Sequence, residues 1–285
     1  MSDEAVKDLD YFELENPSFE NSYSHNGQIY WYASYFLSRL GYDQYSPTIK
    51  PLQKALQVCM STNIDTSDNF REEWREIDGK RIKDFKLSRF ACYLVAMNSD
   101  IKKPQVAKAQ AYFAAFTATM QEFIKSQEDV ERISLRTEIT EQERTLMSTA
   151  SIAGINKNGY ALFQYKGYLG LYNMPLDKIK RLKGVPEKEP LFDYMGAEEL
   201  GANIFRITQT NAKIKRERIK GQQNLEEAAQ RVGETVRKAI RETGGTMPED
   251  LQPEVNIKKI KSELKKTNKE FKKSDKKLID KNSEN

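Results

Sequence analysis

Two amphipathic stretches set back to back, with a helix breaker between them, constrain this chain most. In 87–116, LSRFACYLVAMNSDIKKPQVAKAQAYFAAF, the residues Leu87, Phe90, Ala91 and Leu94 fall at the spacing of one helical face. Ser88 stands where an N-cap belongs, because its hydroxyl can accept from a free N–H of the first turn. The run from Asn98 to Lys103 breaks the helix, and Pro104 suits the first turn of the next, where its missing N–H costs little. Val106, Ala109, Phe113, Phe116, Met120 and Phe123 then step by three and four along a second apolar face. A helical hairpin over 87–97 and 104–126 is predicted. Each helix needs another element to cover its apolar side.

Before the hairpin the pattern is mixed. Gln28–Tyr32 is rich in aromatic and β-branched residues and reads as a strand. From Ala33 the period changes: Tyr35, Phe36, Leu37 and Leu40 suit a short helix ended by Gly41. Residues 47–60 give another helix through Leu52, Ala55, Leu56 and Cys59. Asp78-Gly79 is a hairpin turn signal. Its flanks, Phe70–Ile77 and Lys80–Phe85, alternate poorly, which predicts an exposed charged ribbon or wing. The fold class is therefore α+β: a small mixed N-terminal domain with a hairpin wing, then a mainly helical region.

After the hairpin, 128–150 reads as a charged helix with Glu128 and Arg132 at the supportive i,i+4 spacing. In 154–175, glycines 154, 159, 167 and 170 interleave with Tyr160, Phe163, Tyr165, Tyr168 and Tyr172. This composition reads as a loop. Either the rings pack it onto the body, or Tyr165 and Tyr168 stack on bases, which typically contributes ~1–3 kcal/mol each. Residues 196–220 form a helix with Leu200, Ile204, Ile207 and Ile214 facing the core. Residues 222–243 form another, stopped by Gly244-Gly245.

Charge matters here by location. The net charge is +4, yet residues 254–285 hold eleven lysines against six acids, and residues 1–25 hold seven acids and one lysine. The asymmetry suggests nucleic acid or an acidic partner, although a solvated face gives the same pattern. In the tail, Ile257, Leu264, Phe271 and Leu278 recur every seven residues, but the matching d positions decay from Ile260 through Thr267 and Ser274 to Lys281. The tail is read as basic, partly helical and mostly disordered. The densest cluster is Lys213, Lys215, Arg216, Arg218 and Lys220, at the end of the 196–220 helix. On continuous helical geometry Lys213, Arg216 and Lys220 point together, with Lys215 and Arg218 on a neighbouring stripe. These five are the candidate phosphate contacts.

Little supports catalysis. The chain has one histidine, His25, and two cysteines, Cys59 and Cys92, without a CxxC pair. No P-loop or Gly-x-Gly-x-x-Gly run is present. A nuclease holding magnesium with two or three carboxylates stays open as an alternative, but the expectation is no enzyme, no metal and no cofactor. No apolar run approaches the roughly 20 residues needed to span a bilayer. The acidic start lacks the marks of a signal peptide. The expected compartment is the cytoplasm, with no membrane partner.

These residues also carry a family likeness. WYASYFLSRLGY (31–42), the wing and LSRFACYLVAMNSD (87–100) resemble the BRO-type N-terminal domain of phage antirepressors, which is associated with nucleic-acid binding. ALFQYKGYLGLY (161–172), MGAEELGANIFRITQTNAKIKRE (195–217) and VRKAIRETGGTMPEDL (236–251) resemble the DNA damage-inducible protein D (DinD) family. The resemblance implies induction in the SOS response and a non-enzymatic role in recombinational repair. The implied partners are single-stranded DNA and the RecA recombinase filament. The alternative it leaves is an antirepressor-like transcriptional regulator. The resulting division is an acidic segment (1–25), a BRO-like domain (26–126), a helical domain (127–252) and a lysine-rich tail (253–285). The two ends are read as lying outside the family pattern.

Overall fold

The computed structural model of the chain describes residues 11–12, 18–25, 28–77, 79–118 and 127–283. Asp78, Met120, Phe123 and the expected boundary at 126 lie outside them. The chain divides into two compact units, one of residues 1–130 with 259–285, the other of residues 131–258.

The first unit opens with a 3-10 turn, Ser18–Asn21, followed by strands β1 (Ser24–His25) and β2 (Ile29–Tyr32) and helices α1 (Ala33–Arg39), α2 (Lys50–Thr62) and α3 (Thr66–Asn69). Strands β3 (Phe70–Ile77) and β4 (Lys80–Leu87) complete an antiparallel sheet in the order β1-β2-β4-β3. Helices α4 (Arg89–Met97) and α5 (Pro104–Ala118) follow. Gly41 (φ +79) ends the first helical turn region and Gly79 (φ +71) sits in the hairpin, both in the left-handed region that glycine tolerates. The wing is only half solvent-exposed. Its base, Phe70, Phe85 and Leu87, is buried, and Leu87 pairs with Trp31, whereas its outer part is open. Asp84 on β4 is fully buried and caps α1 from outside: its carboxylate accepts from Ser34 N (3.1 Å) and Ser34 Oγ (2.6 Å).

Ser88 caps α4 as expected, accepting from Ala91 N at 3.1 Å. The helix itself is buried on all sides, not on one face. The reason lies at the far end of the chain. Residues Ile257–Ser283 form one helix, here α11, and from Lys259 onward it belongs to the first unit. Phe271 is 1% exposed, with its ring 5.3–6.5 Å from those of Phe90, Tyr93, Phe113 and Phe116. The tail therefore differs from the expected disordered segment. Its seven-residue apolar stripe has a partner within the chain, and buried apolar area stabilises a helix that lysine repulsion would otherwise weaken. Arg89, 0% exposed, locks the arrangement: its Nε donates to Asp275 Oδ1 at 2.6 Å, and Nη1 donates to Glu20. The acidic head likewise contributes to the core, since Tyr11, Phe12 and Phe19 are buried and Phe19 stacks on Trp31 at 4.4 Å.

The second unit is helical: the greater part of α6 (Gln127–Ile152), then α7 (Lys157–Tyr172), α8 (Leu176–Leu182), a 3-10 turn Leu191–Tyr194, α9 (Ala197–Glu217) and α10 (Gln222–Glu242). The glycine- and tyrosine-rich stretch is thus a helix, not a loop. Gly154, at φ +109, makes the turn before it, whereas Gly159 and Gly170 within the helix face α10. A Cβ built on Gly170 would lie 2.2 Å from the Gln230 carbonyl oxygen, and one on Gly233 would lie 2.7 Å from that of Gly167. The two backbones touch, and the aromatic rings between the glycines fill the core around them. Arg132 is buried and donates to the carbonyls of Met195 (2.8 Å) and Val255 (2.9 Å). A second buried cation, Lys183, meets Glu199 Oε2 at 3.0 Å and the Leu251 carbonyl at 2.7 Å. Glu199 also accepts from Tyr172 Oη at 2.7 Å, and burial pushes its carboxyl above the usual glutamate range despite the lysine. These cations supply donors to the irregular segment after α10, whose backbone would otherwise lack partners. Among the described residues, no helix is long and apolar enough to cross a membrane.

Candidate nucleic-acid interface

The cation cluster is built by the end of one helix and the start of the next. Helix α9 buries Leu200, Ile207 and Ile214 and turns its last polar residues outward, as its periodicity predicts. It stops at Glu217 because Arg218 takes φ +51, a left-handed cap whose N–H donates to the Ile214 carbonyl. Gly221, at φ +85, completes the reversal into α10 and donates its N–H to the Ala153 carbonyl at 2.9 Å.

This reversal changes the grouping of charges. On a continuous helix Lys220 would stack above Lys213 and Arg216. Here Arg218 breaks the register, and an open cleft of about 450 Å³ is lined by Lys213, Arg218, Lys220 and Asn224, with Arg231 from α10. Lys215 and Arg216 are exposed but lie outside that lining. Two acids temper the field. Glu217 accepts from Lys213 at 2.7 and 2.8 Å and from Arg216 at 3.0 Å, and hydrogen bonds from these two cations hold its carboxyl below the usual range. Glu227 lies 3.5 Å from Arg231. At neutral pH the cleft therefore carries four cations against two anions. Arg231 escapes sequence inspection because it sits thirteen positions beyond Arg218, on a different helix; only the turn brings them together.

The two tyrosines fare differently. Tyr168 is 8% exposed, with the Arg206 guanidinium 4.9 Å from its ring centroid and Phe192 at 5.9 Å. Its ring is committed to the core, so the expected base-stacking role does not fit this structure. Tyr165 is half-buried and lines a separate groove of about 510 Å³ with Leu176, Lys180 and Arg181. The structure does not bring it to the cleft. Arg181 there is paired with Asp177 at 2.6 Å. Cys59 and Cys92 are both buried free thiols, and burial raises both well above the thiol range that supports reactivity. Among the described residues, no group of three histidine, cysteine, aspartate or glutamate side chains is placed to hold a metal ion.

Comparison with known proteins places the chain. Residues 126–277 match the model of the DinD C-terminal domain. That span runs well past Pro253, so most of the lysine-rich tail belongs to the family pattern, contrary to the expectation from sequence. The DNA damage-inducible protein D of Escherichia coli (strain K12) is 38% identical over 257 residues, covering 86% of this chain and 94% of that protein. A match of this identity and extent, with a family model spanning both the interhelical cleft and most of the tail helix, settles the assignment: the chain belongs to the DNA damage-inducible protein D family.

Proposed function

We propose that this protein acts in the response to DNA damage as a non-enzymatic nucleic-acid-binding protein that modulates recombinational repair. Its expected targets are single-stranded DNA and DNA coated by the RecA recombinase. The observation that carries the reading is the cleft between α9 and α10, where Lys213, Arg218, Lys220 and Arg231 converge without a core to serve. Three of these cations lie at or just past the end of α9, more than the one or two that complement its dipole, and Arg231 joins them from α10. Phosphates are recognised by such an arrangement without base contacts, so binding should be strongly salt-dependent and tolerant of sequence. The name of the Escherichia coli relative supports a place in the damage response.

The test is fluorescence anisotropy on matched single- and double-stranded oligonucleotides across a salt series, with and without RecA. The variant Lys213→Gln, Arg218→Asn, Lys220→Gln, Arg231→Gln removes the charge, and asparagine is chosen at 218 because it tolerates the left-handed cap. Each lost contact should lower the magnitude of the log–log salt slope by roughly 0.7 on a single strand. An unchanged slope in a folded variant would show that the cleft is solvated surface.

A further inference from the structure

Trp74 is out of place for a structural residue. It lies on β3, 60% exposed, while the second tryptophan, Trp31, is 1% exposed in the core of the same unit. It faces Lys83 across the ladder, and the Arg81 guanidinium carbon stands 5.4 Å from its ring centroid. Strand β3 is the outer strand of the sheet. Charged side chains alone protect such an edge, so the ring is not needed for that purpose.

Side chains alternate along a strand, so Trp74 shares a face with Phe70 and Glu72, and Phe85 lies opposite Glu72. That face leads into a groove of about 810 Å³ with Phe70 and Phe85 among its apolar lining and Arg71, Lys83 and Lys86 among its cations. Asp68 lines the same groove and accepts from Lys272 Nζ of α11 at 2.8 Å. Helix α11 therefore borders the groove. Four residues of strand, about 13 Å, separate Phe70 from Trp74. On α11, steps of about 100° put Lys265, Lys269, Lys272 and Lys276 within roughly 60° of one another, on the side away from Ile260, Leu264 and Phe271. All four lysines are exposed, and the three apolar residues are buried. The apolar face fixes the helix, and the lysine face is held in a straight row.

An aromatic ring beside cations, next to a row of lysines, is the combination that binds single strands: bases stack and the phosphates meet charge. The geometry points to a second nucleic-acid site, in the first unit, where Trp74 stacks a base of a single strand and the α11 lysines hold its backbone. This rests on the reading of the protein as a nucleic-acid binder and adds a site separate from the α9–α10 cleft.

The two-tryptophan composition gives a direct readout, because Trp31 is a buried constant background. Titration of the full chain with oligothymidylate should quench tryptophan emission. Trp74→Ala should lose the quench and bind roughly 5- to 150-fold more weakly, the equivalent of ~1–3 kcal/mol, with an unchanged salt slope. Trp74→Phe should retain most of the affinity. Lys265→Gln, Lys269→Gln, Lys276→Gln should keep the quench at saturation and lower the slope by roughly 0.7 per contact. The quench should also persist in the cleft variant. If the wild type binds with unchanged emission and Trp74→Ala binds equally well, the inference is overturned and the cleft reading stands. A quench lost in the cleft variant overturns the second site as independent. Absence of any binding sinks both.

Discussion

The close crossing of α7 and α10 makes one substitution, glycine to alanine, act with opposite signs at two positions. In a helix interior the change alone stabilises by about 1 kcal/mol. At Gly201 on α9 the new methyl would meet nothing within 4 Å, so that gain should appear in full. At Gly233 the methyl would sit 2.7 Å from the Gly167 oxygen and 2.8 Å from the Leu171 nitrogen. These are backbone atoms of a packed helix and cannot rotate away. Reaching ordinary contact at 3.4 Å requires the helices to part by about 0.7 Å. A gap of that size forfeits a quarter to a half of each dispersion contact along the crossing, and overpacking of this kind typically costs ~1–3 kcal/mol. Because the clash is with backbone, the upper end applies, and the net loss after the helix gain is about 2 kcal/mol. With a urea dependence near 2 kcal/mol per molar, the midpoint should fall by about 1 M for Gly233→Ala and rise by about half that for Gly201→Ala. Far-ultraviolet circular dichroism follows both. Equal midpoints for Gly233→Ala and wild type would refute the close approach of the two backbones.

Two further expectations concern charge removed from bulk water, and both deficits shrink as pH falls, in different windows: the first through a raised glutamate pKa, the second through a depressed one. Lys183→Met should cost ~3–5 kcal/mol at neutral pH, because Glu199 is left buried without its cation. Glu199 already titrates above its ordinary value, so the deficit should shrink as pH falls through that raised pKa, and Lys183→Met with Glu199→Leu should recover part of it. Glu249→Gln removes a two-bond pair with Arg237, at 2.5 and 2.7 Å, and should cost ~1.5–3 kcal/mol. The pair holds Glu249 below its ordinary value, so its contribution is present above the unfolded glutamate pKa and is lost as pH falls through the depressed folded one. Denaturation series at several pH values check both, and parallel curves for either variant would count against it.

Local features were legible in the sequence because their causes are local. Ser88 at its cap, Pro104 at the start of α5 and Gly41 after α1 each act on their own turn, and each stands where expected. The glycine-rich stretch was misread because glycine signals two opposite things, a free backbone and a close neighbour. Gly167 and Gly170 are three apart, hence on one helical face, but the Gly233 they serve is more than sixty residues away. The tail was misread for the same reason: its seven-residue stripe was visible, and its partner, the aromatic cluster around Phe90 and Phe113, was not. Of the candidate cleft, the density of cations was visible. Its grouping was not, because one left-handed residue, Arg218, resets the direction of everything after it.

The bond from Arg89 to Asp275 bears on the order in which the protein can be made. Glu20 and Asp275 reach the same guanidinium from opposite ends of the chain. A ribosome that has finished residue 130 has therefore released all but the last piece of the first unit, and must add 145 more residues before Asp275 exists. At 5–20 residues per second that interval lasts roughly 7–30 s. During it the whole of the second unit emerges, so the later unit in sequence is the first that can be completed. The Phe90 and Phe113 surface waits uncovered meanwhile, a natural client for chaperones. Loss of the last thirty residues by nonsense mutation or proteolysis would hold the protein in that waiting state.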